Sequence, residues 1–143
     1  MFVTQISVFL ENSPGRLAEF TKLLKDSNID LVSLSIGDTT DFGIIRAVMS
    51  DTEKAMKVIT EAGYTARLND VLAAEVPDCP GGLDSVVQTL SASGISIEYL
   101  YSFVRSEGKN AVIIFRVQEL EKGAAVLEKS GVHILTNEEV RSL

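Results

Sequence analysis

The hexapeptide Asn12–Leu17 (NSPGRL) returns as Asp78–Leu83 (DCPGGL), 66 residues further along the chain. In both places an apolar segment precedes the Pro-Gly pair, and apolar residues at helical spacing follow it. Similar segments at a fixed separation indicate a repeated structural unit. The 143 residues therefore contain two copies of one unit, each covering about half of the chain.

The match between the copies extends well beyond the hexapeptide. Asn28–Leu31 corresponds to Gly94–Ile97 at the same offset of 66, and Glu53–Ala55 corresponds to Glu121–Gly123 at an offset of 68. The extra residues of the second copy fall around Arg105–Asn110, which has the Gly, Lys and Asn typical of a hairpin turn. Insertions are tolerated in such turns, so the order of elements is expected to be the same in both copies.

The spacing of apolar residues, together with the turn and helix-capping residues between them, predicts six secondary-structure elements in each copy. The first copy is predicted to have a strand at Ile6–Leu10, a helix with Pro14 in its first turn and Asn12 or Ser13 as cap, strands Leu31–Ile36 and Gly43–Met49 around a turn at Asp38–Asp41, a helix with the capping-box pattern Ser50–Glu53, and a strand at Tyr64–Leu68. The second copy is predicted to have Val71–Val76, Gly82–Ser91, Ile95–Val104, Ala111–Val117, Glu119–Lys129 and Val132–Thr136.

This order predicts an α+β protein made of two ferredoxin-like βαββαβ domains in tandem, each an antiparallel sheet with helices on one face. Nothing rich in Pro, Gly or Ser separates the copies, because Leu68–Ala73 runs from one strand pattern into the next. The expected domains are residues 1–70 and 71–143.

The composition disfavours several classes of function. The 13 basic and 20 acidic side chains give a net charge of -7, which disfavours nucleic-acid partners. No apolar run is long enough to cross a bilayer and no secretory signal is visible, so a cytoplasmic protein without membrane contact is expected. One Cys and one His cannot assemble a zinc site, and we expect neither a metal nor a cofactor.

The segments Val8–Leu24 and Asn28–Leu31, repeated in Cys79–Leu83 and Gly94–Tyr101, resemble the ACT domain family, with two modules in one chain. The resemblance covers nearly the whole sequence. It implies a non-catalytic regulatory protein that binds a small amino acid and senses its level for amino-acid metabolism. Helices on one face leave the other face of each sheet in need of a cover, which the apolar content favours, and a homodimer is the expected assembly. The sequence shows no catalytic domain, so a separate metabolic enzyme is the expected partner.

The resemblance places the ligand at the loop between the first strand and first helix, facing the second strand of a neighbouring module. Helix N-termini present unpaired N–H groups and partial positive charge, so a carboxylate can be held there without a basic side chain. The candidate ligand-binding residues are Asn12, Ser13, Pro14, Gly15, Arg16, Leu17, Ser33, Leu34, Ser35 and Ile36 in the first copy, and Asp78, Cys79, Pro80, Gly81, Gly82, Leu83, Tyr99, Leu100 and Tyr101 in the second.

The two candidate sites differ chemically, because Gly82 stands where the first copy has Arg16. Tyr99 and Tyr101 likewise stand where it has Ser33 and Ser35. This difference allows one copy to bind a ligand while the other is degenerate. The sequence does not decide which copy binds. The ligand's side chain also stays open, since both apolar and polar residues line the candidate sites.

The pattern of apolar residues along the second strand also differs between the two copies. In the first copy Val32, Leu34 and Ile36 alternate as apolar residues, whereas the matching residues in the second copy are Glu98, Leu100 and Ser102. This mismatch favours the interpretation that an interface partly covers both faces of the sheet.

Other interpretations compete with the regulatory one. A structural or subunit-interaction module with degenerate sites is supported by Gly82 in place of Arg16. An acyl-phosphate hydrolase of the same topology would use Arg16, but no phosphate loop accompanies it. Base stacking on Tyr99, Tyr101 and Phe103 is disfavoured by the net charge. A nucleophilic Cys79 would need a base, and the only histidine, His133, lies in the last predicted strand.

Overall fold

The computed structural model describes residues 2–38, 42–103 and 110–143. Within these ranges the elements are β1 (Val3–Glu11), α1 (Arg16–Asp26), β2 (Leu31–Asp38), β3 (Phe42–Met49), α2 (Thr52–Glu61), β4 (Thr65–Pro77), α3 (Gly82–Ala92), β5 (Ile97–Ser102), β6 (Asn110–Val117), α4 (Leu120–Lys129) and α5 (Asn137–Arg141). The α+β class and the repeated strand-helix order are confirmed. The residues of the predicted hairpin turns at 39–41 and 104–109 lie outside the described ranges, as does Val104 of the predicted strand Ile95–Val104.

The chain forms two compact units, whose boundary falls inside β4. Thr4–Asn69 make up the first unit, and residues 1–3 together with 70–143 make up the second unit. The single strand β4 contains the predicted strand Val71–Val76 and all of the predicted strand Tyr64–Leu68 except Tyr64, which lies just before it. No Gly or Pro separates them, so nothing in the local sequence forces the backbone out of the extended conformation.

In the first unit β3 lies between β2 and β1, and β4 borders β1. The pairs β1/β3 and β2/β3 are antiparallel, with Ala47 opposite both Ile6 and Leu34. Alternate residues of each strand point to the same face, and one face packs against α1 and α2. We call this the helix face. Its buried core consists of Ile6, Val8, Leu10, Phe20, Leu24, Ile29, Ile45, Ala47, Met49, Ala55 and Ile59.

The second unit repeats this arrangement with β6 between the second half of β4 and β5. Phe115 of β6 lies opposite Leu72 of β4 and Leu100 of β5. Its helix face packs against α3 and α4. The buried core there is Leu72, Ala74, Val76, Val86, Leu90, Ile95, Ile113, Phe115, Val117, Ala124 and Leu127.

The C-terminal segment departs from the prediction of a strand at Val132–Thr136. Only an isolated bridge joins Ala74 to Ile134, on the side of β4 away from β6, and the Leu135 N–H donates to Ala73 O at 2.8 Å. The chain then turns into α5, which the sequence analysis missed. Thr136 and Glu139 form a capping box at its start. Because this reciprocal pair of hydrogen bonds begins a helix, the chain does not continue as the predicted strand.

The second strands of both units have a bulge at the same position of the repeat. Register shifts lie between Leu31 and Ser33 in β2 and between Ile97 and Tyr99 in β5. Val32 and Glu98 are therefore the extra residues of two bulges at equivalent positions, and a bulged residue leaves the alternation. The bulges account for the positions of Val32 and Glu98 only. Ile36 and Ser102 lie beyond the bulges, opposite Ile45 and Ile113, so the interface inferred from the mismatch stays a prediction.

Candidate functional site

The turn between β1 and α1 is built in the same way as the turn between β4 and α3. Three backbone hydrogen bonds recur at an offset of 66. In the first turn Ser13 N–H donates to Glu11 O, Arg16 N–H to Ser13 O and Glu19 N–H to Gly15 O; in the second Cys79 N–H donates to Pro77 O, Gly82 N–H to Cys79 O and Ser85 N–H to Gly81 O. The distances lie between 2.9 and 3.3 Å. The backbone of the candidate site is therefore duplicated together with the sequence motif.

Glycine sets the start of both helices. Gly15 and Gly81 are the N-cap residues, with φ of 88° and 90°, and no side chain caps either helix. The predicted caps at Asn12 and Ser13 are thus wrong, and so is the placement of Pro14 in the first helical turn. A Cβ at either glycine would meet open space, so the left-handed backbone, rather than crowding, favours glycine.

Both helix starts present backbone donors. Among the described residues, none accepts a hydrogen bond from the N–H groups of Leu17 and Ala18 or from those of Leu83 and Asp84. These are the first-turn groups that an α-helix leaves without an internal partner. Because no side chain caps them, they can donate to a bound anion.

The difference between Arg16 and Gly82 has a structural reason. A Cβ at position 82 would overlap the carbonyl oxygen of Pro77, and Gly82 is buried. The second turn therefore excludes every side chain at this position. Gly82 in place of Arg16 follows from this packing and is not by itself a sign of a decayed binding site.

Arg16 is held by carboxylates on both sides. Its Nη2 lies 3.3 Å from Glu11 Oε2 and its Nη1 lies 3.3 Å from Glu19 Oε2, with about half of the arginine side chain exposed (47%). A phosphate dianion at Arg16 would face both carboxylates and would bring no positive charge of its own. This geometry disfavours the acyl-phosphate hydrolase.

The predicted residues of β2 divide between the two faces of the sheet. Leu34 and Ile36 lie opposite Ala47 and Ile45 and thus belong to the helix face, while Ser33 and Ser35 belong to the opposite face. Ser33 is fully buried and Ile36 is almost half exposed. These four side chains therefore do not line one common pocket within the first unit.

The residues of β5 divide in the same way. Tyr99 and Tyr101 lie on the face opposite the helices, with ring centroids 6.4 Å apart and nearly parallel, whereas Leu100 lies on the helix face and is exposed. Glu98, the bulged residue, contacts Arg116 Nε at 3.6 Å, and Arg116 Nη1 donates to Asp70 O at 2.6 Å. The tyrosines thus stack along a strand next to an arginine that already has partners.

Each unit has a pocket that the sequence analysis missed, near its strand-to-helix turn. The pocket of the first unit, of about 360 Å³, is lined by Phe9, Leu10, Glu11, Arg16, Phe42, Gly63, Tyr64 and Thr65. The pocket of the second unit, of about 300 Å³, is lined by Glu75, Pro77, Ser85, Val86, Asn110, Ser130, Gly131, Val132 and His133. Of the predicted site residues, only Arg16 lines either of these two pockets.

The two pockets occupy equivalent positions in the repeat. Glu11 corresponds to Pro77 at an offset of 66, and Gly63, Tyr64 and Thr65 correspond to Gly131, Val132 and His133 at an offset of 68. The sequence signal was Phe42 and Tyr64, aromatic residues at strand ends where the second copy has Asn110 and Val132. Tyr64 is also fixed by an edge-to-face contact with Phe20, at a centroid distance of 5.4 Å.

Cys79 and His133 do not form a nucleophile-base pair. His133 Nε2 lies 3.0 Å from Glu139 Oε1, and Cys79 is an exposed free thiol. The backbone N–H of Thr136, and then His133, lower the pKa of Glu139 by hydrogen bonding to its carboxylate. In the described ranges no group of three or more potential metal ligands occurs, and no helix is long and apolar enough to cross a membrane.

Comparison with known proteins identifies the family. A family model described as an ACT domain pair matches residues 1–143. A protein of Bacteroides thetaiotaomicron has a similar structure with a TM-score of 0.93 and 36% sequence identity, covering 100% of this chain and 98% of that one. A search of curated protein sequences gives no match.

More distant structures share the fold. The ligand-free regulatory subunit of aspartate kinase from Thermus thermophilus has a TM-score of 0.65 at 14% identity, over 90% of this chain and 93% of that one. A structure of aspartokinase alpha and beta subunits has a TM-score of 0.60 at 18% identity, over 90% and 91%. From the match over its whole length, the chain belongs to the ACT domain pair family, as two ferredoxin-like modules in tandem.

Proposed function

We propose that this protein is a non-catalytic regulator that binds a small amino acid and conveys its level to a separate enzyme of amino-acid metabolism. We further propose that it acts as a homodimer in the cytoplasm. The observation that carries the proposal is the duplicated turn at Gly15 and Gly81, which leaves first-turn N–H groups of α1 and α3 without partners among the described residues.

The chemistry of the turn suits an amino-acid carboxylate. The start of a helix has partial positive charge, and its free N–H groups donate to an anion without a lysine or arginine. An ammonium group needs oxygen acceptors, and Asn12 and Asp78 provide them next to the two turns. The residues proposed to contact the ligand are those predicted at Asn12–Leu17 and Asp78–Leu83, completed by the second strand of a neighbouring module.

Regulation follows from binding between modules. A ligand that contacts two modules stabilises the arrangement in which both contacts are made, in proportion to its concentration. The partner enzyme would then respond to the population of that arrangement. The regulatory subunits of aspartate kinase, which have the same fold at low sequence identity, are examples of regulatory proteins with this architecture.

A melting-temperature screen against the twenty amino acids at millimolar concentration tests the proposal. One or a few selective increases are expected, since a ligand at a hundred times its Kd stabilises the folded state by about 2.7 kcal/mol. Gly15→Val and Gly81→Val should each remove the shift that depends on the corresponding turn. Gly94→Val is the matched control, because Gly94 also has a positive φ (72°) and open space around it.

The result that contradicts the proposal is the absence of any shift in folded wild-type protein. That result would favour a structural module that joins subunits without a ligand. A shift that all three glycine variants keep would contradict the location of the site but not the function.

A further inference from the structure

The two equivalent pockets have different chemistry although the backbone around them is repeated. The pocket of the first unit is lined by three aromatic residues, Phe9, Phe42 and Tyr64, together with the charged pair Glu11 and Arg16. At the matching positions the second unit has Glu75, Asn110, Val132, Pro77 and Gly82. The first pocket therefore combines an apolar wall with both signs of charge. Among the residues that the structure describes, the second has neither the aromatic wall nor a counterpart of Arg16.

The charged pair of the first unit is accessible to a ligand. Arg16 has five N–H donors, and its ion pairs with Glu11 and Glu19 each use one nitrogen at 3.3 Å. The side chains of Arg16 and Glu11 are 47% and 60% exposed, so a ligand can reach both of them from solvent. Donors of the guanidinium and an oxygen of Glu11 thus remain for a molecule in the pocket.

We propose that the pocket of the first unit, and not that of the second, binds a free α-amino acid with an apolar side chain. The ligand's carboxylate accepts hydrogen bonds from Arg16 as well as from the free first-turn N–H groups of α1. Its ammonium group donates to Glu11, and its side chain packs against Phe9 and Phe42. This inference rests on the proposed function and specifies both the copy and the class of ligand.

Charge balance supports a zwitterion over a simple anion. Arg16 is flanked by Glu11 and Glu19, so an added carboxylate alone would face two like charges. An α-amino acid brings its own ammonium group to offset them. The pocket volume of about 360 Å³ lies in the range of small-molecule sites, which are mostly apolar with a few polar groups that fix orientation.

The second pocket lacks these partners for a structural reason. Gly82 cannot be replaced by arginine, because a Cβ there would overlap Pro77 O. Glu75 and Asn110 are already hydrogen-bonded to each other at 3.4 Å, and His133 is bonded to Glu139 at 3.0 Å. Within the described ranges, no arginine or lysine therefore takes the position in the second pocket that Arg16 has in the first.

Calorimetric titration of the full chain tests the inference with named ligands. L-Phenylalanine and L-leucine should bind, and 2-phenylethylamine and 3-phenylpropionate, which each lack one of the two charges, should bind at least about tenfold more weakly than L-phenylalanine. Arg16→Gln and Glu11→Gln should also weaken L-phenylalanine at least about tenfold, because each removes a charged hydrogen-bond partner. Glu75→Gln and Asn110→Ala in the second pocket are the controls and should leave its Kd unchanged within about twofold.

Each outcome separates this inference from the proposed function. Equal affinity of L-phenylalanine for the wild type and for Arg16→Gln and Glu11→Gln would overturn the inference. So would affinity that depends on Glu75 or Asn110, or selective binding of polar amino acids only. Failure of all twenty amino acids to bind would instead overturn the proposed function. Circular dichroism of each variant confirms the fold, since the four substituted positions are at least partly exposed.

Discussion

Arg16 and Gly82 occupy equivalent positions in turns with the same three backbone hydrogen bonds, yet one is a half-exposed cation and the other is buried without a side chain. The comparison shows that the backbone of the strand-to-helix turn is set by the glycine before the helix, at φ near 90° in both units. Around that shared backbone the side chains differ, and at position 82 packing against Pro77 permits none. The chemistry of binding is therefore expected to differ between the units while their folds stay alike.

The largest expected effect comes from placing alanine at both equivalent positions. Gly82→Ala should destabilise the protein by about 3 kcal/mol, because its methyl group would overlap a backbone carbonyl that cannot move cheaply. Arg16→Ala should cost about 1 kcal/mol or less, since it removes exposed ion pairs. Urea denaturation measures both, and similar losses for the two variants would refute the steric account of the difference.

A second substitution tests what the two turns share. Gly15→Ala and Gly81→Ala should each cost about 1–2 kcal/mol, because alanine is strained in the left-handed region even where space is open. The two losses should be equal within error in thermal or urea unfolding. If one were near zero, the turns would not be equivalent and the comparison between units would lose its basis.

A third substitution concerns a feature of the second unit alone. Thr136→Ala should cost about 1 kcal/mol by removing the N-cap of α5. Asp51→Ala is the comparison in the first unit, since Asp51 caps α2 by accepting the N–H of Lys54 at 3.1 Å. Hydrogen exchange should show faster exchange in α5 for the first variant and in α2 for the second, and unchanged exchange in α5 of Thr136→Ala would contradict the assigned cap.

The smallest expected effect is a pH dependence of α5. The pKa of Glu139 is lowered in the folded protein, chiefly by the Thr136 N–H and then by His133. A lowered pKa means that its contribution is fully present above the usual carboxyl range and is lost as the pH falls below that range, through the folded value. Nuclear magnetic resonance signals of α5 should shift in that window in the wild type and not in Glu139→Gln. The same shift in both proteins would assign the change to another group.

Much of the fold was predictable because the sequence is written twice. The repeated hexapeptide, the helical spacing after it and the Gly residues that end helices predicted the order of elements in both units. Features that depend on a single register or a single hydrogen bond escaped the prediction. Val32 and Glu98 looked like ordinary strand residues because a bulge leaves no mark in local periodicity. Val132–Thr136 looked like a strand because its apolar alternation outweighed the capping box that begins α5.

The candidate site was predictable only in its backbone. The Pro-Gly motif located both turns, but the sequence could not show that Gly82 is required by contact with Pro77, since that contact exists only in the folded turn. Nor could it show that Phe9, Phe42 and Tyr64 line one pocket, because they belong to three separate elements. The alternation of side chains along β2 already implied that Ser33 and Leu34 point to opposite faces of the sheet. The prediction of four consecutive residues as one ligand site did not take this into account.

Titration of the full chain with L-phenylalanine, in the wild type and in the matched variants Arg16→Gln and Glu75→Gln, tests the central claim most directly. We predict saturable binding in the wild type, unchanged binding in Glu75→Gln and binding weakened at least about tenfold in Arg16→Gln. Binding of equal strength in all three proteins would contradict the assignment to the first unit. Absence of binding of any amino acid to the folded wild type would contradict the regulatory function itself.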